Sequence, residues 1–255
     1  MAISNERFNA EAAAWDSNPD VRRASDDALQ ALLAAFPPLL EAKEKGTAVS
    51  DGLEVLEIGC GTGLLSVPMA PYVRSILAVD AADGMIDALK VKLDSLDGAD
   101  GTAAIQPLCI FLQDPEDIRL PPGPSGQRKK FDLVTSHLTL HHIPDLKPLL
   151  VTMYGCLKPG GQVALTDFED FGPEARKFHP EAKMSGVERH GIKADWFAGL
   201  MKEVGFDDVD VRTAWAMEKE VERFPGEWGR DKPQGVDLAK MKFPFLLCRA
   251  AKGTH

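Results

Sequence analysis

The residues with chemistry to offer are a glycine bend and the acids around it. Leu53 to Ile58 is a short apolar run that leads into Glu57-Ile58-Gly59-Cys60-Gly61-Thr62-Gly63, where an acid precedes a glycine at every second position. So short and unbroken a run reads as a strand buried on both faces. Leu64 to Ala70 follows as a helix, which places the glycines in a strand-to-helix turn. Glycine there accepts positive φ and lets a ligand approach with no Cβ in the way. The unpaired N–H groups of the new helix are aimed at whatever sits above the strand. A second buried run, Ser75 to Asp80, ends in an acid 23 residues after Glu57. That is close to the roughly 20 expected between a glycine turn and an acid that grips ribose hydroxyls. A carboxylate suits a diol because it accepts two hydrogen bonds and donates none; capping of the next helix is the other use for such an acid.

The glycine spacing separates candidate ligands. A dinucleotide fingerprint needs G-x-G-x-x-G, with the pyrophosphate on the helix N-terminus, whereas here the third glycine comes one residue early and Leu64 holds its place. Glu57 would also set a negative charge against any phosphate. A ligand with a cationic end and no phosphate fits better, and S-adenosylmethionine, with its ammonium, sulfonium and ribose, is one. Glu57 to Gly63 resembles the first motif of class I S-adenosylmethionine-dependent methyltransferases, in particular the small-molecule branch with the ubiquinone and menaquinone enzymes. The resemblance is specific from Leu53 to Asp167. It implies cofactor contacts from Glu57, Gly59, Cys60, Gly61 and Gly63, from Asp80 and Ala81 at the ribose, from Met85 against the adenine, and from Ser136 after the fourth strand. Gln113-Asp114-Pro115-Glu116 resembles the adenine motif, with Asp114 accepting from the exocyclic amine. Pro115 departs from it, because it has no N–H to give the ring; either Glu116 supplies one or that bond is missing. S-adenosylhomocysteine would be the product.

These residues need a scaffold, and the pattern of runs supplies one. Strands are expected at Cys109 to Leu112, Phe131 to Ser136, Gln162 to Asp167, Val209 to Thr213 and Phe243 to Ala251, besides the two above. Helices are expected over residues 3 to 36, broken at Ser17-Asn18-Pro19-Asp20 with Asn18 or Asp20 as N-cap, and over Met85 to Lys90, Leu146 to Leu157 and Ala194 to Val204. Ser95 to Thr102 and Pro121 to Lys130 read as a turn and a mobile surface loop, and Lys158-Pro159-Gly160-Gly161 as a tight turn. The fold class is α/β. The resemblance makes it a Rossmann-like, mostly parallel seven-stranded sheet with the last strand antiparallel, helices on both faces and an N-terminal helical cap. Residues 1–40 are read as the cap and 41–255 as the methyltransferase domain, with substrate-pocket additions around 168–195 and 216–242.

Composition bounds the partners. A chain of 255 residues suits one domain with additions. It has no apolar run able to cross a membrane, and residues 1–9 lack the basic-then-apolar order of a secretory signal. Cys60, Cys109, Cys156 and Cys248 form no C-x-x-C pair and read as reduced thiols, hence a cytoplasmic protein. A formal net charge of −10 opposes nucleic-acid binding, which depends on neutralising phosphates. The basic trio Arg128-Lys129-Lys130 has no interleaved aromatics and reads as a solvated face.

The acceptor is expected to be a small molecule, apolar or aromatic, methylated at O, S, N or C. Its pocket is read as Phe8, Trp15, His137, His141, Asp167, His179 and His190, with His141 and His190 as candidate bases. For Phe8 and Trp15, simple packing of an amphipathic helix on the sheet stays open; for His141-His142 so does a structural role. How much base catalysis is needed depends on the acceptor: a thiol with a pKa near ~8.5 needs little, whereas a phenol, amine or carbon centre calls for a positioned base. No histidine pair has the H-E-x-x-H spacing and no cysteine lies nearby, so no metal site is expected. A cofactor-binding scaffold without turnover and an NAD-dependent oxidoreductase are the competing classes.

Overall fold

Alternation along the strands decides the layers of the computed structural model, which describes residues 2–37, 39, 52–96, 102, 104–229, 232, 233, 235 and 237–254. The strands are β1 (Glu54–Ile58), β2 (Ser75–Asp80), β3 (Ile105–Cys109), β4 (Phe131–His137), β5 (Leu157–Phe168), β6 (Asp207–Glu220) and β7 (Lys240–Ala251). They form one sheet in the order β3-β2-β1-β4-β5-β7-β6. The first five pair in parallel, and β7 runs antiparallel to both β5 and β6. Leu56, Ile58, Leu77, Val79 and Val134 pack against Leu146, Leu150 and Met153 of one helix (Leu146–Cys156) and Phe197 and Met201 of another (Ala194–Val204). The alternate residues Val55, Ile76, Ala78 and Leu133 pack on the opposite layer. Each such side chain taken fully out of water contributes about 1.5–3 kcal/mol, so both faces are held.

In chain order the helices are α1 (Ala2–Trp15), α2 (Pro19–Ala35), α3 (Ser66–Met69), α4 (Asp83–Leu96), α5 (Leu146–Cys156) and α6 (Ala194–Val204). Asn18 caps α2 by accepting from the N–H groups of Asp20 and Val21, with Pro19 in the first turn. The stretch read as a cap divides into two parts. Leu29, Leu32, Leu33 and Phe36 of the second part belong to the sheet core with Ile86 and Leu89 of α4, whereas Phe8, Ala12 and Trp15 of α1 lie on Ala82 and Met85. Among the described residues no helix is long and apolar enough to cross a membrane.

Several boundaries differ from the sequence reading. The third strand is Ile105–Cys109 rather than Cys109 to Leu112. As an edge strand it tolerates Pro107, and the apolar run after it is buried by loop packing instead. The helix after the glycine bend is short, Ser66–Met69, because Pro71 has no N–H to continue the ladder and the chain passes into the 3-10 turn Ala70–Tyr72; α4 in turn runs on through Ser95 and Leu96. Pro121 to Lys130 is not a free loop: Pro122 bridges Arg128, Lys129 pairs with Glu54 at 2.9 Å, and Lys130 pairs with Glu116. Lys158 to Gly161 belongs to β5. Strand β6 extends well past Thr213, since an edge strand accepts charged residues on its solvent side. The polar linker Glu41 to Ser50 and residues 97–101 of the turn lie outside the described residues.

Candidate functional site

The strand order reverses at β1 and β4, and ligands of open parallel sheets sit beyond the carboxyl ends at such a point. A cavity of about 620 Å³ opens there, walled by the segments after β1, β2, β3 and β4 and by α1. Its size lies in the ~300–1,000 Å³ range of small-molecule sites. The glycine bend forms its floor. Gly59, Gly61 and Gly63 have φ of 76°, 52° and 80°, which only glycine adopts freely. A Cβ on Gly61 would meet nothing nearer than Met85 Sδ at 4.0 Å, so the backbone there is open to a ligand. A Cβ on Gly59 would stand 2.2 Å from Thr139 Oγ1, and one on Gly63 would stand 2.5 Å from Leu89 Cδ1. Gly63 therefore serves packing against α4 and does not line the cavity, contrary to its expected ligand contact.

Four N–H groups of the bend are already engaged. Those of Gly59 and Cys60 donate to Val79 O at 2.8 and 3.1 Å, and that of Gly63 to Cys60 O at 2.9 Å. Gly61 N donates to Asp80 Oδ2 at 2.8 Å. These donors are not free for a phosphate. What faces the cavity is acid: Glu57 and Asp80 both line it. Burial, aided by the Asp80 charge and opposed by a hydrogen bond from Ser66, pushes the Glu57 carboxyl up to about 8. Burial also raises Asp80, against the hydrogen bonds it accepts from Ala82 N and Gly61 N. Such a pair stores an electrostatic demand for a cation. The Cys60 thiol, buried beside them, is raised well above its usual value by burial and then by the two acids, which makes it inert as a nucleophile.

Phe8, Trp15, Ala81, Met85 and His137 line this cavity too. His137 holds Nδ1 2.8 Å from Thr166 Oγ1 and leaves Nε2 unpartnered, and burial lowers its pKa to about 4. Helix α1 roofs the cavity through hydrogen bonds from Asn5 Nδ2 to Ala81 O at 3.1 Å and from Gly84 N to Asn9 Oδ1 at 2.9 Å. Asp16, just past α1, takes Lys92 at 2.6 Å and the Thr62 hydroxyl.

Ser136 is corrected: it is fully buried, and its hydroxyl donates to Ile58 O at 2.7 Å beneath the bend. Asp114, Pro115 and Glu116 also stand outside the cavity wall. Asp114 Oδ1 accepts from Glu116 N at 2.8 Å, which engages the very N–H that could have replaced the one Pro115 lacks. Pro115 packs where a Cβ on Gly155 would be, and Glu116 pairs with Lys130. Because β3 ends at Cys109, the wall is built four residues earlier, from Ile110, Phe111, Leu112 and Gln113.

A second cavity of about 390 Å³ shares Phe8, Trp15, Val21, Leu138 and His142 with the first. His141 and His179 line it, as do Phe178, Met217, Lys219 and Trp228; these come from both segments expected to carry pocket additions. Asp167 stands behind His141, with Oδ1 2.8 Å from His141 Nδ1, and is fully buried. His190 lines neither cavity. Burial brings Lys219 down to about 8, and it donates to Phe178 O at 2.8 Å. The expectation of no metal site rested on linear spacing. The fold brings His141, His142 and His179 together, one ring nitrogen of each within 4.8 Å of the others.

Sequence reasoning missed Asn5, Phe111, Gln113, Leu138, Thr139 and Lys219. Phe111 and Gln113 follow once β3 is ended at its edge proline. Leu138, with φ of 52° between the two cavities, carries no sequence signal for that strain.

A sequence model described as a methyltransferase domain matches residues 21–211. The chain is 25% identical over 163 residues to an uncharacterized methyltransferase of Schizosaccharomyces pombe, covering 63% of this chain and 55% of that one. It is 32% identical over 112 residues to a ubiquinone biosynthesis O-methyltransferase of Idiomarina loihiensis, covering 44% and 41%. The chain thus spans about half, or less, of the length of these curated relatives. The crystal structure of a SAM-dependent methyltransferase from Thermotoga maritima shares the fold, with a TM-score of 0.58 at 20% identity over 99% of this chain and 100% of that one.

Proposed function

The chain belongs to the methyltransferase-domain family, and on that premise we propose that it moves a methyl group from S-adenosylmethionine to a small apolar or aromatic acceptor. The observation that carries this reading is the first cavity's polarity: the N–H groups of Gly59, Cys60, Gly61 and Gly63 are engaged within the protein, while Glu57 and Asp80 face the cavity. A phosphate there would raise the cost of ionising these buried acids further, whereas a ligand with an ammonium and a sulfonium lowers it. The open space above Gly61 gives that ligand its approach.

When bound, the donor supplies an electrophilic methyl carbon on sulfur, displaced in line with a neutral leaving group. The protein's part is positioning and exclusion of water. Glu57 and the bend hold the cationic amino-acid end. Asp80, whose carboxylate is fixed by Gly61 N and Ala82 N, keeps further lone pairs for the ribose diol. Met85, Phe111 and Leu112 sandwich the adenine, and Gln113 offers both a donor and an acceptor at its edge. Helix α1 closes the roof. The acceptor occupies the second cavity, whose Phe178, Trp228, Phe8 and Trp15 suit an apolar or aromatic body. His137, neutral near pH 7 and unpartnered at Nε2, pairs with a polar group of the acceptor at the junction.

Calorimetric titration with S-adenosylmethionine, S-adenosylhomocysteine and NAD tests the donor. The first two are expected to bind and NAD is not, and Asp80→Ala should weaken donor binding by about 1–3 kcal/mol. Binding of NAD in place of the methyl donor overturns the reading. Labelled donor incubated with thiols, phenols, quinols and amines then sorts the acceptor.

A further inference from the structure

We propose that His141, His142 and His179 form a three-histidine site for a divalent transition metal of the zinc class, open toward the second cavity. His141 and His142 lie on the 3-10 turn Leu140–His142 after β4, and His179 follows the 3-10 segment Pro173–Phe178. One ring nitrogen from each lies within 4.8 Å of the others, and the rings crowd together with centroids 3.9, 5.0 and 6.0 Å apart. Tetrahedral coordination at ~2.0–2.1 Å per nitrogen needs the three atoms closer than this, a change that side-chain rotation supplies.

The hydrogen bonds around the cluster argue for a metal more than its proximity does. His142 Nδ1 lies 2.7 Å from Gly186 O, a carbonyl that can only accept, so that nitrogen carries the proton. His141 Nδ1 lies 2.8 and 3.0 Å from the two oxygens of Asp167, which also accepts from His141 N at 3.1 Å. Carbonyl and carboxylate partners of this kind orient ligating histidines and fix the proton on the far nitrogen. In both rings the Nε2 lone pair is then left for a partner. His141 Nε2 and His179 Nδ1 are buried with no hydrogen-bond partner, and orphaned buried polar atoms in a folded protein call for an occupant.

The donor set selects the metal. Three imidazoles and no oxygen ligand suit zinc, cobalt or nickel and not magnesium or calcium. Three protein ligands leave the fourth position open, as in catalytic zinc sites, and all three histidines line the cavity shared with Phe8 and Trp15. Its natural fourth ligand is a hydroxyl or thiol of the acceptor, whose proton is lost to solvent on coordination while the electron pair stays on oxygen or sulfur. This use rests on the donor reading above; the metal site does not.

The test uses the full chain stripped with a chelator and titrated with Zn²⁺ by calorimetry and with Co²⁺ by visible absorption. One equivalent of each metal is expected, with the ligand-field bands of nitrogen-bound tetrahedral cobalt. Asp167→Asn should weaken binding by roughly 10–100-fold. His142→Gln and His179→Gln, both half-buried, should weaken it further and carry the test if the buried Asp167 variant does not fold. Wild-type protein that binds Co²⁺ no better than the His142→Gln/His179→Gln double variant overturns the site. Titrating S-adenosylmethionine into the same samples separates the two readings: donor binding with no metal sinks only the metal site, and metal binding with no donor sinks only the methyltransferase reading.

Discussion

The two cavities share a wall and a roof, yet they are made in different ways. The floor of the first is backbone at a strand end: glycines at positive φ, amides tied to Val79, and the acids at the ends of β1 and β2. The second is made of side chains from α1, α2, the segments after β4 and β5, β6 and the segment after it. Backbone geometry at a strand end is set by a few adjacent residues, so it tolerates little change. A wall of side chains from distant segments can be rebuilt one residue at a time. Under the proposed function, that contrast gives a fixed donor end and an adaptable acceptor end.

The sharpest way to break the contrast is to add one carbon to the bend. Gly59→Ala combines a left-handed conformation with a Cβ 2.2 Å from Thr139 Oγ1. It should cost roughly 2–5 kcal/mol of stability and most of the donor affinity, measured by denaturant unfolding and calorimetry. A variant that melts and binds like the parent would place the rigidity elsewhere.

Glu57→Gln sharpens the same comparison. The folded chain holds the Glu57 proton up to about 8, whereas the unfolded chain releases it near the usual 4.5. Between those values the folded state binds more protons, so stability falls as pH rises through the window. An amide, which needs no proton taken up on folding, should raise the stability of the donor-free protein by up to about 3 kcal/mol at pH 7. It should also flatten the pH dependence of Tm and weaken donor binding. An unchanged pH slope would exonerate Glu57. The smallest effect belongs to His190→Ala, outside both cavities. Stability and turnover should move by no more than about 0.5 kcal/mol, and a large loss of turnover would mark it as a base.

Legibility in the sequence followed the same divide. Strands β1, β2 and β4 could be read because buried parallel strands are short, largely apolar runs, and Glu57 and Asp80 because they stand at or next to the ends of such runs. Edge strands were read less well: β3 carries Pro107 and β6 carries charges along most of its length, so neither shows the buried pattern. Gly63 and Ser136 had the right types and places for ligand contact, but packing against Leu89 and a hydrogen bond to Ile58 claimed them. The histidine cluster was invisible, since His179 meets His141 and His142 only through tertiary folding.

Helix α1 is pinned on one side by Asn5, Asn9 and Asp16 and on the other by Arg7, which donates to Lys183 O and Ser185 O at 2.6 Å, and by Glu11, which pairs with Lys183. One rigid door therefore serves two rooms. A shift of α1 about the short joint before Pro19 would break both sets of contacts, and so would reshape the two rooms together.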